Sequence, residues 1–123
     1  MDIKNNTRKN NPSVQFDKIK ESVLGKKYEL SLVFIGDKLS LKLNKKYRKI
    51  NKPTNILTFP LSKNEGEIFI NLGLSKKQSI KFGRKYDDFI GFLFIHGLLH
   101  LKGYEHSSKM EVEEKKIRRR FNL

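Results

Sequence analysis

The chain has 123 residues and 37% hydrophobic content, which is enough for one core, so we expect a single domain spanning 1–123. It contains no cysteine, which excludes disulfides, thiolate metal ligands and cysteine nucleophiles. Its formal net charge of +14 favours a polyanionic partner, with nucleic acid first. We give this net charge little weight, because the chain also lacks alanine and is rich in Lys, Asn and Ile. A coding bias toward AT-rich codons produces this composition and raises the lysine content without any function.

The first half of the chain predicts a loose end, a helix, a strand and a second helix. Residues 1–12 are polar, so we expect a flexible terminus. Ser13 can cap a short helix, and residues 28–35, rich in β-branched and aromatic side chains, predict a strand. Asp37 suits the N-cap of a helix that Pro53 ends. The apolar residues of that helix recur on one face: Leu39, Leu43, Tyr47 and Ile50.

The other face of this second helix is basic. Residues 38–52 contain no acid, and a local block of one sign is better evidence for a polyanion site than the total charge. The alternative is an ordinary solvated face. The basic residues of the block are Lys38, Lys42, Lys45, Lys46, Arg48, Lys49 and Lys52.

The second half predicts a hairpin and three helices. Residues 55–59, stopped by Pro60, and residues 67–72 read as two strands joined through a turn at 62–65. Ser75 opens a short helix, an apolar helix runs to Leu101, and Ser108 begins a capping box for the last helix. The fold class is therefore α+β, with a small mixed β-sheet of about four strands packed with helices.

The most informative motif is a His-x3-His-x5-His array formed by His96, His100 and His106. On a helix, the first two rings project from one face, one turn apart. Gly103 can end that helix in a left-handed turn, which lets His106 close a third corner. The alternative is a set of core histidines with satisfied nitrogens, but ligand spacing with a glycine at the turn favours a metal.

Three imidazoles and one open position form the coordination pattern of a catalytic zinc. Such a zinc lowers the pKa of its bound water, which can attack a carbonyl or a phosphorus centre. The spacing matches that of metzincin zinc proteases, which carry a glutamate directly after the first histidine. Here that position is Gly97, so we rank peptide hydrolysis below phosphodiester hydrolysis.

Three blocks of the chain carry a further signal: residues 43–60, including Tyr47-Arg48 and the Pro-Thr-Asn-Ile-Leu-Thr-Phe-Pro run, residues 66–70, and the histidine array at 96–106. Together they resemble the YbeY family of bacterial ribosomal-RNA maturation endoribonucleases. The blocks occur in order over residues 28–106. The resemblance implies a zinc on a central apolar helix and the following loop, in a metzincin-like arrangement. It also implies cleavage of single-stranded RNA, 3′-end maturation of small-subunit rRNA, and ribosomal or GTPase partners.

Carried over residue by residue, the resemblance makes His96, His100 and His106 the ligands of one Zn²⁺ per chain. His96 and Arg48 are then expected in catalysis, and Arg48 with Lys45 and Lys49 in substrate binding, since a guanidinium suits a phosphate. Glu105 stands where the family usually has aspartate and is expected to orient a ligand histidine; the alternative is that it points to solvent. The chain also looks shorter than most relatives at its N-terminus and between residues 74 and 87.

Two other functions remain open from the sequence: a ribosome-associated RNA-binding assembly factor with a structural zinc, and a small zinc protease. Residues 115–120 form a basic run that suits RNA, although the dipole of a helix favours the same placement of charge. With no apolar leader in residues 1–6 and no membrane-length apolar segment, we expect a cytoplasmic protein with no membrane partner and no small-molecule cofactor.

Overall fold

Four strands form one mixed sheet in the order β1-β2-β4-β3. The computed structural model describes residues 1–123. The strands are β1 (Asp2–Asn5), β2 (Glu29–Ile35), β3 (Ile56–Ser62) and β4 (Glu65–Asn71). β2 is parallel to both β1 and β4, whereas β3 and β4 form the expected antiparallel hairpin. The predicted α+β class with a small mixed sheet is therefore confirmed.

The N-terminal segment differs from the prediction of a flexible end over residues 1–12. Its residues Asp2–Asn5 form the edge strand β1, which pairs in parallel with β2. The segment has no alternating apolar pattern because it is largely exposed and held by main-chain hydrogen bonds to its neighbour. Side-chain patterning therefore could not reveal it.

Five helices surround the sheet, and the central one carries the first two histidines. They are α1 (Phe16–Leu24), α2 (Asp37–Arg48), α3 (Leu72–Lys81), α4 (Tyr86–Lys102) and α5 (Ser108–Arg120). Helix α4 packs against α1, α3, α5 and the β3–β4 hairpin, which explains why it is apolar nearly all round. No helix combines the length and the apolar character that crossing a membrane requires.

Several predicted element ends are displaced by a few residues. Helix α1 begins at Phe16, and the backbone N–H of Ser13 instead donates to Asp87. Gly36, Asn71 and Ser107 occupy the N-cap positions of α2, α3 and α5, where the sequence favoured Asp37, Ser75 and Ser108. Pro60 lies inside β3 because this strand is at the edge of the sheet, where a missing N–H is tolerated.

The two faces of the sheet have different partners. The face toward α4 belongs to the main core and carries Leu30, Leu32, Phe34, Ile68 and Ile70. Side chains alternate along each strand, so the opposite face carries Val33, Ile35, Leu57, Phe59 and Phe69, and α2 covers part of it. We call these the α4 face and the α2 face.

Candidate metal centre and cleft

Helix α4 lies unusually close to the β3–β4 hairpin at Gly97. A Cβ at this position would lie 3.0 Å from side-chain atoms of Ile56 and Thr58 and 3.1 Å from Ile68. Glycine therefore allows the close approach of helix and sheet. The position faces the sheet and is buried, so a glutamate there would clash with the hairpin.

The turn after α4 returns the chain toward the first two histidines, as predicted. Gly103 is the C-cap, with φ of +109°, a conformation that glycine adopts readily. Its N–H donates to the carbonyl of His100, and the N–H of Tyr104 donates to that of Leu99. These bonds close the helix end and position His106 two residues beyond Tyr104.

The three histidine rings converge on one point. The Nε2 atoms of His96 and His100 are 3.0 Å apart, and one ligand nitrogen from each of the three residues lies within 4.8 Å of the others. The His106 ring centroid is 5.0 Å from that of His96 and 4.7 Å from that of His100. His96 and His100 are half-buried and His106 is exposed, so the group opens to solvent on one side.

In two of the rings the Nδ1 atom, on the outer side of the group, lies next to a hydrogen-bond acceptor. This contact determines whether the inner atom, Nε2, carries a proton or a free lone pair. Nδ1 of His96 lies 2.5 Å from a Glu114 oxygen, and Nδ1 of His100 lies 3.0 Å from the carbonyl of Tyr104. If each Nδ1 donates to its partner, both Nε2 lone pairs point at each other across 3.0 Å. A cation bound between them removes this repulsion. The donor set therefore fits a metal ion, and neutral imidazoles are ligands that Zn²⁺ accepts.

Burial favours the neutral, ligating form of the second histidine. Desolvation lowers the pKa of His100, and the charges of His96 and His106 lower it further. The carbonyl of Tyr104 and the carboxylate of Glu114 act in the opposite direction without reversing the shift. His100 therefore keeps its lone pair available at neutral pH.

Glu114, not Glu105, contacts a histidine of this group. Glu105 is exposed and makes no hydrogen bond or ion pair, so the contact expected of it is absent. Glu114 is buried on the inner face of α5, between Met110 and Ile117. Its spacing from those two apolar residues places a carboxylate on the core face of an amphipathic helix, a signal present in the sequence.

Two buried polar side chains of α2 position the opposite wall of the cleft. Ser40 Oγ donates to the carbonyl of Thr54 at 2.7 Å and accepts from its N–H at 2.9 Å. Asn44 Nδ2 donates to the carbonyl of Lys52 at 2.8 Å. The predicted apolar face of Leu39, Leu43, Tyr47 and Ile50 is only partly buried, because the helix buries the polar side chains that hold the following loop.

This loop begins where α2 ends. Lys49 adopts a left-handed conformation, with φ of +60°, and ends the helix four residues before Pro53. Arg48 therefore lies at the helix end and faces the histidines across a cleft of about 380 Å³. The remaining walls come from Thr54, Asn55, Ile56, Leu57 and Thr58.

Residues 2–122 match the family model described as endoribonuclease YbeY. The endoribonuclease YbeY of Acholeplasma laidlawii is 34% identical over 109 residues, covering 83% of this chain and 80% of that protein. That of Campylobacter jejuni is 36% identical over 110 residues, covering 83% and 81%. That of Helicobacter pylori is 31% identical across 100% of this chain and 92% of that protein.

The chain belongs to the YbeY endoribonuclease family. It is therefore a nuclease that acts on the phosphodiester bonds of RNA. The fold has a solved counterpart in the solution structure of TM1509 from Thermotoga maritima, with a TM-score of 0.70 over 94% of this chain and 85% of that one, at 24% identity.

Among the basic residues expected to bind substrate, Arg48 alone lines the cleft of this YbeY chain. Lys45 and Lys49 are exposed near the end of α2 and are not part of the cleft wall. Contact with substrate therefore remains a prediction for all three, and it has direct geometric support only for Arg48.

The basic run at residues 115–120 does not form one continuous surface. Ile117 is buried, and the Arg118 guanidinium lies 5.4 Å from the ring centroid of Phe92. Arg84 lies 4.9 Å from the same centroid, and burial followed by the nearby Arg118 charge lowers its pKa. Part of the run thus packs against α4, while Lys115, Lys116, Arg119 and Arg120 are exposed.

Proposed function

We propose that this chain is a zinc-dependent endoribonuclease specific for single-stranded RNA, acting in 3′-end maturation of small-subunit rRNA and in ribosome quality control in the cytoplasm. The carrying observation is the convergence of three imidazoles, two of them with their outer nitrogens already bonded, opposite Arg48. The helix, glycine turn and returning histidine suit a metzincin-like zinc arrangement.

Each residue of the site has a separate task in this proposal. When bound, zinc supplies a Lewis acid and a water of lowered pKa. His96, His100 and His106 hold it, and Glu114 keeps His96 in the tautomer that presents Nε2. Arg48 binds the scissile phosphate and stabilises the negative charge that develops on it. No carboxylate lines the cleft, so no protein general base is assigned.

The cleft favours RNA over a peptide as substrate. A protease of the metzincin type places a glutamate after the first histidine, and here that position is a glycine pressed against β3 and β4. The walls instead combine a guanidinium with threonine and asparagine side chains, which suit a phosphodiester backbone. We also propose the small ribosomal subunit and an assembly GTPase as partners, which the resemblance of the sequence motifs to the family implies.

The test combines metal content with cleavage. Protein purified without chelator should contain one zinc per chain, and His100→Ala should lose it. The wild type should cut a single-stranded oligonucleotide and a small-subunit rRNA precursor with an extended 3′ end, and should leave the same sequence intact as a duplex. Arg48→Ala should retain zinc and lose most of its cleavage activity.

Three outcomes would contradict parts of the proposal. Cleavage that persists in His100→Ala or after metal removal excludes the zinc chemistry. If Arg48→Glu cleaves RNA as the wild type does but no longer associates with small subunits, the chain acts through binding. Peptide digestion that is abolished by a chelator and by His100→Ala would favour the protease.

A further inference from the structure

The α2 face of the sheet carries an apolar groove next to the cleft. It has a volume of about 260 Å³, and its walls are Leu43, Tyr47, Phe59, Pro60, Leu61, Glu67 and Phe69. The Tyr47 and Phe59 rings are 5.1 Å apart in an edge-to-face arrangement, and Phe59 and Phe69 are 5.7 Å apart. The groove is below the usual size of a site for a drug-sized ligand and suits a single planar ring system.

Tyr47 is the least expected member of this group. The helical pattern predicts Tyr47 on the apolar face of α2, yet 56% of it is exposed, and Leu61 in the same groove wall is 54% exposed. A stripe of aromatic and aliphatic side chains is thus left uncovered at the end of α2. An exposed apolar surface of this kind often marks a binding site.

The charge around the groove indicates what binds there. The exposed lysines Lys42, Lys45, Lys46 and Lys49 belong to the same helix, and residues 38–52 contain no acid. The Lys46 ammonium lies 5.2 Å from the Tyr47 ring centroid. Glu67 is the one acid in the groove wall. Aromatic rings bordered by cations are the combination with which proteins bind single-stranded nucleic acid.

The groove and the cleft are lined by two pairs of neighbouring residues, of which Thr58 and Phe59 point to opposite faces of β3. Arg48 follows Tyr47 at the end of α2, and Thr58 precedes Phe59 in β3. Arg48 and Thr58 line the cleft, whereas Tyr47 and Phe59 line the groove. β3 is an edge strand, so a polynucleotide can pass along its free side and reach both faces.

From this arrangement we propose that Tyr47 and Phe59 form a stacking subsite for the base of a nucleotide flanking the scissile phosphate of single-stranded RNA. The proposal rests on the proposed function, since it places the phosphate beside Arg48. Tyr47 supplies the exposed ring, Phe59 supports it from the strand, and the neighbouring lysines neutralise the adjacent phosphates.

The test measures RNA affinity apart from cleavage, by anisotropy of a labelled single-stranded oligonucleotide that is mixed with the zinc-loaded protein and read before any product forms. Stacking of a base on an aromatic ring is worth about 1–3 kcal/mol, so Tyr47→Ala should weaken binding by roughly 5- to 150-fold. Tyr47→Phe should bind as the wild type does. Ile80→Ala, which removes an exposed apolar side chain on α3, is the matched control and should have no effect.

Two further readouts separate stacking from a structural role. An oligonucleotide with an abasic site at the engaged nucleotide should bind wild type and Tyr47→Ala equally. Ultraviolet irradiation of an oligonucleotide containing 5-iodouracil should crosslink Tyr47 or Phe59, as mapped by mass spectrometry. Unchanged melting temperature and zinc content in Tyr47→Ala would exclude a folding defect.

Failure of this inference can be distinguished from failure of the proposed function. If the wild type binds and cleaves RNA while Tyr47→Ala binds within twofold of it, the stacking subsite is refuted. If that variant keeps its RNA affinity but loses association with small subunits, the groove binds a protein, and the inference is again refuted. If the wild type binds RNA without cleaving it and Tyr47→Ala binds weakly, base stacking at Tyr47 stands, whereas the nuclease proposal fails and with it the position beside a scissile phosphate.

Discussion

Replacing Glu114 by glutamine should weaken zinc binding without unfolding the protein. The carboxylate lies 2.5 Å from Nδ1 of His96, and Glu114 is only 8% exposed. Little solvent therefore screens the interaction of its negative charge with the His96 ring. Glutamine keeps an oxygen acceptor of similar size but removes the negative charge that stabilises a cation bound to the imidazole. Loss of such a partner costs 10- to 100-fold in metal affinity, or about 1.4–2.7 kcal/mol.

The lower half of this range is expected, because the side chain of His96 retains 21% of its exposure and solvent screens part of the field. The assay is competition for zinc against a chromophoric chelator, with melting of the metal-free protein recorded in parallel. Glu113→Gln is the matched control, since the one ion pair of Glu113 is with Lys116, at 3.5 Å, and not with a histidine. Glu105→Gln tests the residue that the sequence favoured. Wild-type affinity in Glu114→Gln, or an equal loss in Glu105→Gln, would refute this account.

Three other changes have defined outcomes. Arg48→Ala should lower RNA cleavage by roughly tenfold or more at unchanged zinc content, because it removes a charge-assisted phosphate contact. Lys45→Ala, outside the cleft wall, should lower cleavage far less. Equal losses of the two variants in a cleavage time course would count against the assigned geometry. Gly97→Ala should lower the melting temperature, since overpacking costs about 1–3 kcal/mol against a gain of about 1 kcal/mol in helix propensity. Its control is Gly73→Ala, where the nearest atom is 3.8 Å from the added methyl. A calorimetric scan of both variants should show no loss of melting temperature in Gly73→Ala. An unchanged melting temperature in Gly97→Ala would mean that the β3–β4 hairpin shifts to accommodate the methyl at little cost. Gly103→Ala should destabilise the turn by about 1–3 kcal/mol, because φ of +109° is unfavourable for alanine. The change should also displace His106 and so weaken zinc binding, as measured by chelator competition. Unchanged zinc affinity would show that the loop adapts.

Much of the site could be predicted because its signals are local. A run of apolar residues with His96 and His100 four positions apart defines a buried helix with two rings on one side, and Gly103 marks the turn that returns His106. Each of these relations extends over a few residues, where backbone preference and helical period decide the outcome. The β3–β4 hairpin is similarly local, with two strands separated by a short polar turn.

The errors share a different origin. β1 has no apolar pattern of its own, and it forms because its main chain pairs in parallel with β2. Helix α2 buries Ser40 and Asn44 because the returning loop needs hydrogen-bond partners, and this leaves Tyr47 uncovered. In each case the partner is distant in the chain or is a main-chain group, so side-chain periodicity does not report it.

By itself, the sequence determined which side chains offer metal-binding nitrogens and which elements carry them, since ring spacing along a helix follows from its fixed pitch. The tertiary structure decided what surrounds those nitrogens. The packing of α5 on α4 brings Glu114 to His96. The loop after α2 is held by hydrogen bonds to that helix, and Arg48 at the helix end lines the same cleft as the histidine rings. Residues separated by tens of positions meet only when helices and sheet share one core, and their meeting creates the cleft.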